Sequence, residues 1–153
     1  MKWVTREKAR VDRIACPWLI RKFVDKDAVF LYVPKERVME VATKEGAIPF
    51  DTPGAELHHY EERGQEFVSF DAIIRKYELT DPALLELAKI VRVADGGSGG
   101  MVEAAGLEAA ATGFRIMTRD DFENQRLQCP LYDALYAYCK WKVEERGNEI
   151  IGR

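Results

Sequence analysis

The sequence predicts an α+β fold: one predominantly helical domain with a small sheet formed by short strands of the N-terminal half. Two observations lead there. Short apolar runs bounded by turn residues crowd the first fifty positions, and apolar periodicity of the helical kind takes over from Ser69 onwards. A third, the absence of any repeat, linker or compositional boundary, makes residues 1–153 a single unit of ordinary domain length.

The elements follow in order. Residues 2–5 read as an opening strand, followed by a basic loop. A helix is expected over residues 17–24, because Pro17 suits a first turn, where its missing N–H costs nothing. That start puts Cys16 close to the N-cap. Residues 28–33 form a strand by their apolar and aromatic run. Pro34 opens a helix through Val38, Met39, Val41 and Ala42 that Gly46 stops. Residues 47–50 make another short strand, and 51–54 carry a turn signature. Residues 55–68 are polar, contain both histidines, and fit no regular element clearly.

Ser69 is an N-cap for a helix through Tyr77. Asp81 and Pro82 open a stronger one, with Leu84, Leu87, Ala88 and Val91 on its inner stripe and an end near Asp95. Residues 101–111 are alanine-rich and helical. Thr118 and Asp121 resemble a capping box before a long helical stretch towards Arg146. Pro130 is expected to kink that stretch or split it in two.

Composition narrows the function classes. With 47% hydrophobic and 32% charged residues the chain is of globular rather than disordered type. Its 23 basic side chains against 26 acidic ones lack the cationic excess of a free-standing nucleic-acid binder. No apolar run has signal-peptide or membrane-spanning character, so a cytoplasmic protein without a membrane partner is expected. Three cysteines, an odd number without a spacing framework, suggest free thiols in a reducing compartment.

Three groups could carry chemistry. Cys16, placed near a helix N-terminus with Arg10 and Arg13 close by, would favour the thiolate, and the same place would suit an oxyanion. The alternative is a buried cysteine that only packs. The segment from Glu56 to Glu62 holds His58 and His59, and either could share a divalent ion with Glu62 if the segment is helical. The alternative is a solvated loop. Asp95, the glycine loop at 96–100 and Glu103 could bring a backbone close to a ligand and add a carboxylate, or could be a plain connector. The loop lacks both the P-loop ending and the preceding strand of a dinucleotide fingerprint, so no nucleotide cofactor is expected. Cys129 and Cys139 have no partner spacing and read as packing residues.

The order of motifs resembles a known family. Residues 2–5, the run Asp12-Arg-Ile-Ala-Cys-Pro-Trp-Leu-Ile-Arg21, residues 46–51, residues 53–59, residues 81–85 and residues 131–136 are together similar to the ChrB-type chromate-resistance domain. The resemblance runs along nearly the whole chain. It implies a role in chromate response or resistance and carries over Arg13, Cys16, Trp18, Arg21, Asp51, the His58-His59 pair and Asp95. Longer members of that family carry an additional N-terminal region associated with chromate-dependent transcriptional control. This sequence starts at the shared domain, so no independent DNA binding is expected. Val68 stands where the family pattern has a cysteine, and Asp95 keeps its acidic position.

These readings converge on a chromate-response domain that binds an oxyanion such as chromate, a divalent metal, or both. Cys16 and Arg13 are the candidate catalytic residues and Arg13 and Arg21 the candidate oxyanion ligands. His58, His59, Glu62 and Asp95 are the candidate ligands for zinc, manganese or iron. The competing readings are a metal-dependent enzyme of unrelated substrate and a non-catalytic interaction domain of a chromate-response regulator.

Overall fold

The structure is a computed structural model that describes residues 1–97 and 99–151. Ser98, within the glycine loop singled out above, lies outside the described residues, as do Gly152 and Arg153.

Strand β1 (Lys2–Arg6) is the centre of a parallel three-stranded sheet. Helix α1 (Asp12–Phe23) leads to β2 (Val29–Val33) on one side of it. A 3-10 turn (Lys35–Arg37) and helix α2 (Val38–Glu45) lead to β3 (Ile48–Pro49) on the other. Trp3, Val4 and Thr5 are wholly buried, as expected of a central parallel strand covered on both faces. Val4 meets Val38, Val41 and Ala42 of α2, whereas Trp3 belongs to the larger core built around α1. Gly46 ends α2 at φ 62°, the left-handed conformation glycine adopts without steric cost.

The unassigned segment contains an antiparallel hairpin, β4 (Tyr60–Glu62) and β5 (Gln65–Phe67). Its turn residues Arg63 and Gly64 both have positive φ, the backbone that matches strand twist in two-residue hairpins. Arginine rather than asparagine or aspartate precedes the glycine, so the turn carries a weak sequence signature.

Four helices complete the fold: α3 (Ser69–Lys76), α4 (Pro82–Ala94), α5 (Val102–Met117) and α6 (Asp121–Ile151). Asp81 caps α4 by accepting the Leu84 N–H at 3.0 Å. Helix α4 lies at the heart of this half, packed against α3, α5 and α6, with Leu84, Leu87, Ala88 and Val91 buried as their spacing predicts.

Two expectations are corrected. Helix α1 starts at Asp12, not near Pro17, so Pro17 sits inside it. The proline has no N–H for the carbonyl of Arg13, four residues earlier. That carbonyl instead accepts the Tyr32 hydroxyl at 3.1 Å, which satisfies the group the proline orphans. Helix α6 likewise runs on across Pro130 rather than splitting. Tertiary contacts grip it on both sides of the proline: Gln128 and Tyr132 are buried, and the Tyr136 hydroxyl donates to Asp81 at 2.6 Å. Among the described residues no helix is long and apolar enough to cross a membrane.

Candidate metal centre

In the order β2-β1-β3, the chain after β1 goes to one side and later returns to the other. Ligand sites of parallel sheets form at such a reversal, outside the carboxyl ends of the strands. Asp12 is the first residue of α1, reached by the loop that leaves β1. Asp51 comes two residues after β3, at φ 49°, a left-handed turn that aspartate tolerates better than most residues. Asp95 ends α4, and His59 immediately precedes β4.

These four side chains converge. His59 Nε2 lies 3.4 Å from Asp12 Oδ2, 3.2 Å from Asp51 Oδ1 and 3.3 Å from Asp95 Oδ2. Asp12, His59 and Asp95 each offer a ligand atom, all within 4.8 Å of one another. The carboxylates are tied to the fold. Asp12 is buried and accepts the N–H groups of Ser69 at 2.8 Å and Phe70 at 3.1 Å, capping α3. Asp51, also buried, accepts the Ser69 hydroxyl at 2.8 Å. Asp95 Oδ1 accepts the N–H of Asp12 at 3.3 Å.

His59 is held through its hairpin. Arg75 lies over the Tyr60 ring at 4.0 Å, Tyr60 stacks on Phe67 at 4.9 Å, and Arg92 lies over Phe67 at 4.7 Å. Arg92 also makes two hydrogen bonds to Asp71, at 3.0 and 2.8 Å. This four-layer stack pins β4 and β5 to α3 and α4, and with them the backbone that carries His59.

The electrostatics follow from one imidazole among three carboxylates. Hydrogen bonds to Asp12, Asp51 and Asp95 push His59 up to about 12. Burial, then the charge of Asp51, pushes Asp12 up to about 7, although His59 opposes the shift. Burial would raise Asp51 as well, but His59, Ser69 and Arg13 outweigh it and hold the carboxyl below its ordinary value. Burial lowers His58, whose Nδ1 is buried without a hydrogen-bond partner, 3.9 Å from Asp51 Oδ1.

A cavity of about 140 Å³ opens onto this centre. Asp12, Asp51, Asp95 and His59 line one part of it, and Arg6, Arg10, Arg13 and Arg115 another, with Val11 as the one apolar neighbour. Arg6 Nη2 is 3.4 Å and Arg13 Nε 3.7 Å from Asp51 Oδ2. The acidic core therefore has a cationic rim. Hard oxygen donors with one imidazole suit a divalent ion of the manganese, iron or zinc type.

The sequence-based candidates divide accordingly. His59 and Asp95 meet at the centre, His58 stands beside it, and Arg13 lines its cavity. Glu62 does not join them: it is exposed on β4 and pairs with Arg75 at 3.5 Å. Period two on a strand separates it from His59, where a helix would have brought them together. Arg21 also lies elsewhere. Its guanidinium sits over the Phe30 ring at 4.8 Å, two turns along α1 from Arg13.

Cys16 is not at a helix N-terminus but in the fifth position of α1, wholly buried. Burial, then the negative charge of Asp12, pushes its thiol well above the usual range, and it donates to Asp12 Oδ1 at 3.3 Å. The thiolate expected from the sequence is therefore disfavoured here. Asp12 was missed because it lay ahead of the helix start expected at Pro17, and Asp51, carried over by the resemblance, was not counted among the metal ligands because it stood in a turn signature. The available signal was their place, each just beyond a strand of the parallel sheet.

The family described as ChrB, C-terminal domain, matches residues 3–139. Protein ChrB of Cupriavidus metallidurans is 36% identical to the chain over 121 residues, which are 78% of this chain and 35% of that protein. The chain thus spans about a third of the length of this curated relative. No solved structure matches.

Proposed function

The chain belongs to the ChrB C-terminal-domain family, the chromate-resistance family its motifs resemble, and from that premise we propose that the domain binds a divalent cation through Asp12, Asp95 and His59, with Asp51 beside them. One observation carries this reading: the approach of three carboxylates to a single imidazole nitrogen, at 3.2 to 3.4 Å. Without a cation three carboxylates share one imidazolium, and of the three only Asp51 is also reached by arginines, Arg6 and Arg13. A divalent ion would replace the His59 proton and neutralise the buried acids together. Isothermal calorimetry and elemental analysis with Mn²⁺, Fe²⁺ and Zn²⁺ test it. The expected result is one ion per chain, lost in His59→Ala. A wild-type protein with no affinity for any of the three would overturn the reading.

The arginine rim favours a second component, an oxyanion of the chromate type at the same mouth. Arg13, expected to serve it, lines the cavity, and Arg6, Arg10 and Arg115 take the place assigned to Arg21. Titrating chromate into the protein with and without the cation tests this component. The reading includes a cytoplasmic setting and no DNA binding by this domain alone, the latter supported by 23 basic against 26 acidic side chains.

A further inference from the structure

Arg115, on the last turn of α5, lines two cavities. One is the mouth of the acidic centre. The other, of about 400 Å³, is of mixed charge: Lys8, Arg119, Thr118 and Asn124 line it together with the carboxylates of Glu7, Asp120 and Asp121. The loop that borders both is held rigidly. Lys8 has φ 62°, and the N–H groups of Lys8 and Ala9 donate to the Asp121 carboxylate at 2.9 and 2.7 Å. The Asn124 side chain donates to the Ala9 carbonyl at 2.9 Å. A non-glycine residue in the left-handed region persists only where its surroundings hold it, and here two charge-assisted hydrogen bonds do so.

The cations along this path are unequally occupied. Arg6 and Arg13 share Asp51, Arg10 pairs with Glu108 at 3.5 Å, and Arg119 pairs with Glu123 at 2.8 Å. Arg115 forms no ion pair among the described residues, although it is exposed and faces the mouth of the centre. A guanidinium left free beside three others is available to an anion, and its planar fork fits two oxygens of a tetrahedral head group. The size of the second cavity bears on what that head group is attached to. A bare tetrahedral ion needs only the smaller cavity. The larger one, whose acidic and basic side chains offset each other around a hydroxyl and an amide, has room for an uncharged polar organic body.

We infer that the ligand of this mouth is a phosphate monoester of a polar organic molecule, its phosphoryl oxygens between the bound cation and Arg13 and Arg115, its organic part in the larger cavity. This rests on the cation reading, which supplies the charge that offsets Asp12, Asp51 and Asp95. Inorganic oxyanions then occupy the phosphoryl position as partial mimics.

The test uses the full chain loaded with Mn²⁺, after Mn²⁺ affinity has been measured separately. Inorganic phosphate and ribose 5-phosphate are titrated in parallel into wild type and Arg115→Ala. The ester is expected to bind at least about tenfold more tightly than inorganic phosphate, and Arg115→Ala to weaken the ester at least about tenfold with Mn²⁺ affinity unchanged. Equal or tighter binding of inorganic phosphate, indifference to Arg115→Ala, or no anion binding to Mn²⁺-loaded protein would each overturn this inference and leave the cation reading standing. Failure to bind Mn²⁺, Fe²⁺ or Zn²⁺ at all would overturn both.

Discussion

The carboxylate of Asp12 accepts the backbone N–H of Ser69 at 2.8 Å, so one side chain both faces His59 and closes the N-terminus of α3. Two roles in one buried group separate two kinds of damage. Asp12→Ala removes the cap and leaves the N–H groups of Ser69 and Phe70 unsatisfied. With chelator present it should cost about 2–4 kcal/mol of stability. Asp12→Asn keeps one acceptor oxygen but sets its NH2 against the N–H that the other oxygen held, so it should cost about 1–3 kcal/mol and lose cation affinity as fully. Urea melts in chelator, paired with calorimetry, check both.

His59 and its neighbours should behave oppositely. His59→Ala abolishes cation binding, whereas His58→Ala and Glu62→Ala leave the affinity within about twofold, because His58 approaches only Asp51, at 3.9 Å, and Glu62 pairs with Arg75 away from the centre. The metal-free protein should also feel the loss of His59. Its imidazolium offsets Asp12, Asp51 and Asp95, and its partial exposure limits the cost to about 1–2 kcal/mol. Thermal melts in chelator read this. An unchanged melting temperature would mean the cluster needs no internal cation.

Cation binding should release protons. With His59 pushed up to about 12 in the metal-free protein, the imidazole is protonated at neutral pH and must lose that proton to ligate. Affinity should therefore rise about tenfold per pH unit near neutrality. Below about 7 the dependence steepens, because Asp12 then carries a proton as well. Calorimetry in buffers of different ionisation heat counts the protons released.

The thiols should react in an order opposite to that suggested by the sequence. Cys16 and Cys139 are buried, and burial pushes both up. Cys129 is half-buried and is expected to alkylate first in a short iodoacetamide pulse, mapped by mass spectrometry. Leading modification of Cys16 would contradict its position inside α1.

Glu86 gives a pH signature remote from the site. It is buried on α4, and hydrogen bonds from Arg146, then Lys89 and Lys142, outweigh its burial and lower it from the ordinary 4.5 to about 2. A carboxyl lowered on folding adds stability that is present above the unfolded value and is lost as pH falls towards the folded one. Glu86→Gln should destabilise the protein at pH 7 by about 1–2 kcal/mol, given the exposure of Lys89 and Arg146. The difference from wild type should shrink between about pH 4.5 and 2. Urea titrations across that range test the window.

What was legible in the chain by itself was local. Apolar periodicity marked α4, the Asp81-Pro82 start marked its cap, Gly46 marked the end of α2, and the six separated motifs marked the family. Each of these is decided within a few residues or by their order. The site was legible only in part, through His59 and Asp95 as candidate ligands and Asp51 by resemblance alone, because a cluster drawn from four segments has no spacing to read. Pro17 misled because the rule for proline in helices assumes that the freed carbonyl stays unsatisfied, and here Tyr32, nineteen residues after Arg13, satisfies it. Glu62 misled because hairpin pairing, not local spacing, decides which side chains share a face. Only the tertiary structure brought Asp12 and Asp51 to His59, since the parallel pairing of β1 with β3 sets residues 45 apart in sequence, such as Thr5 and Phe50, beside one another.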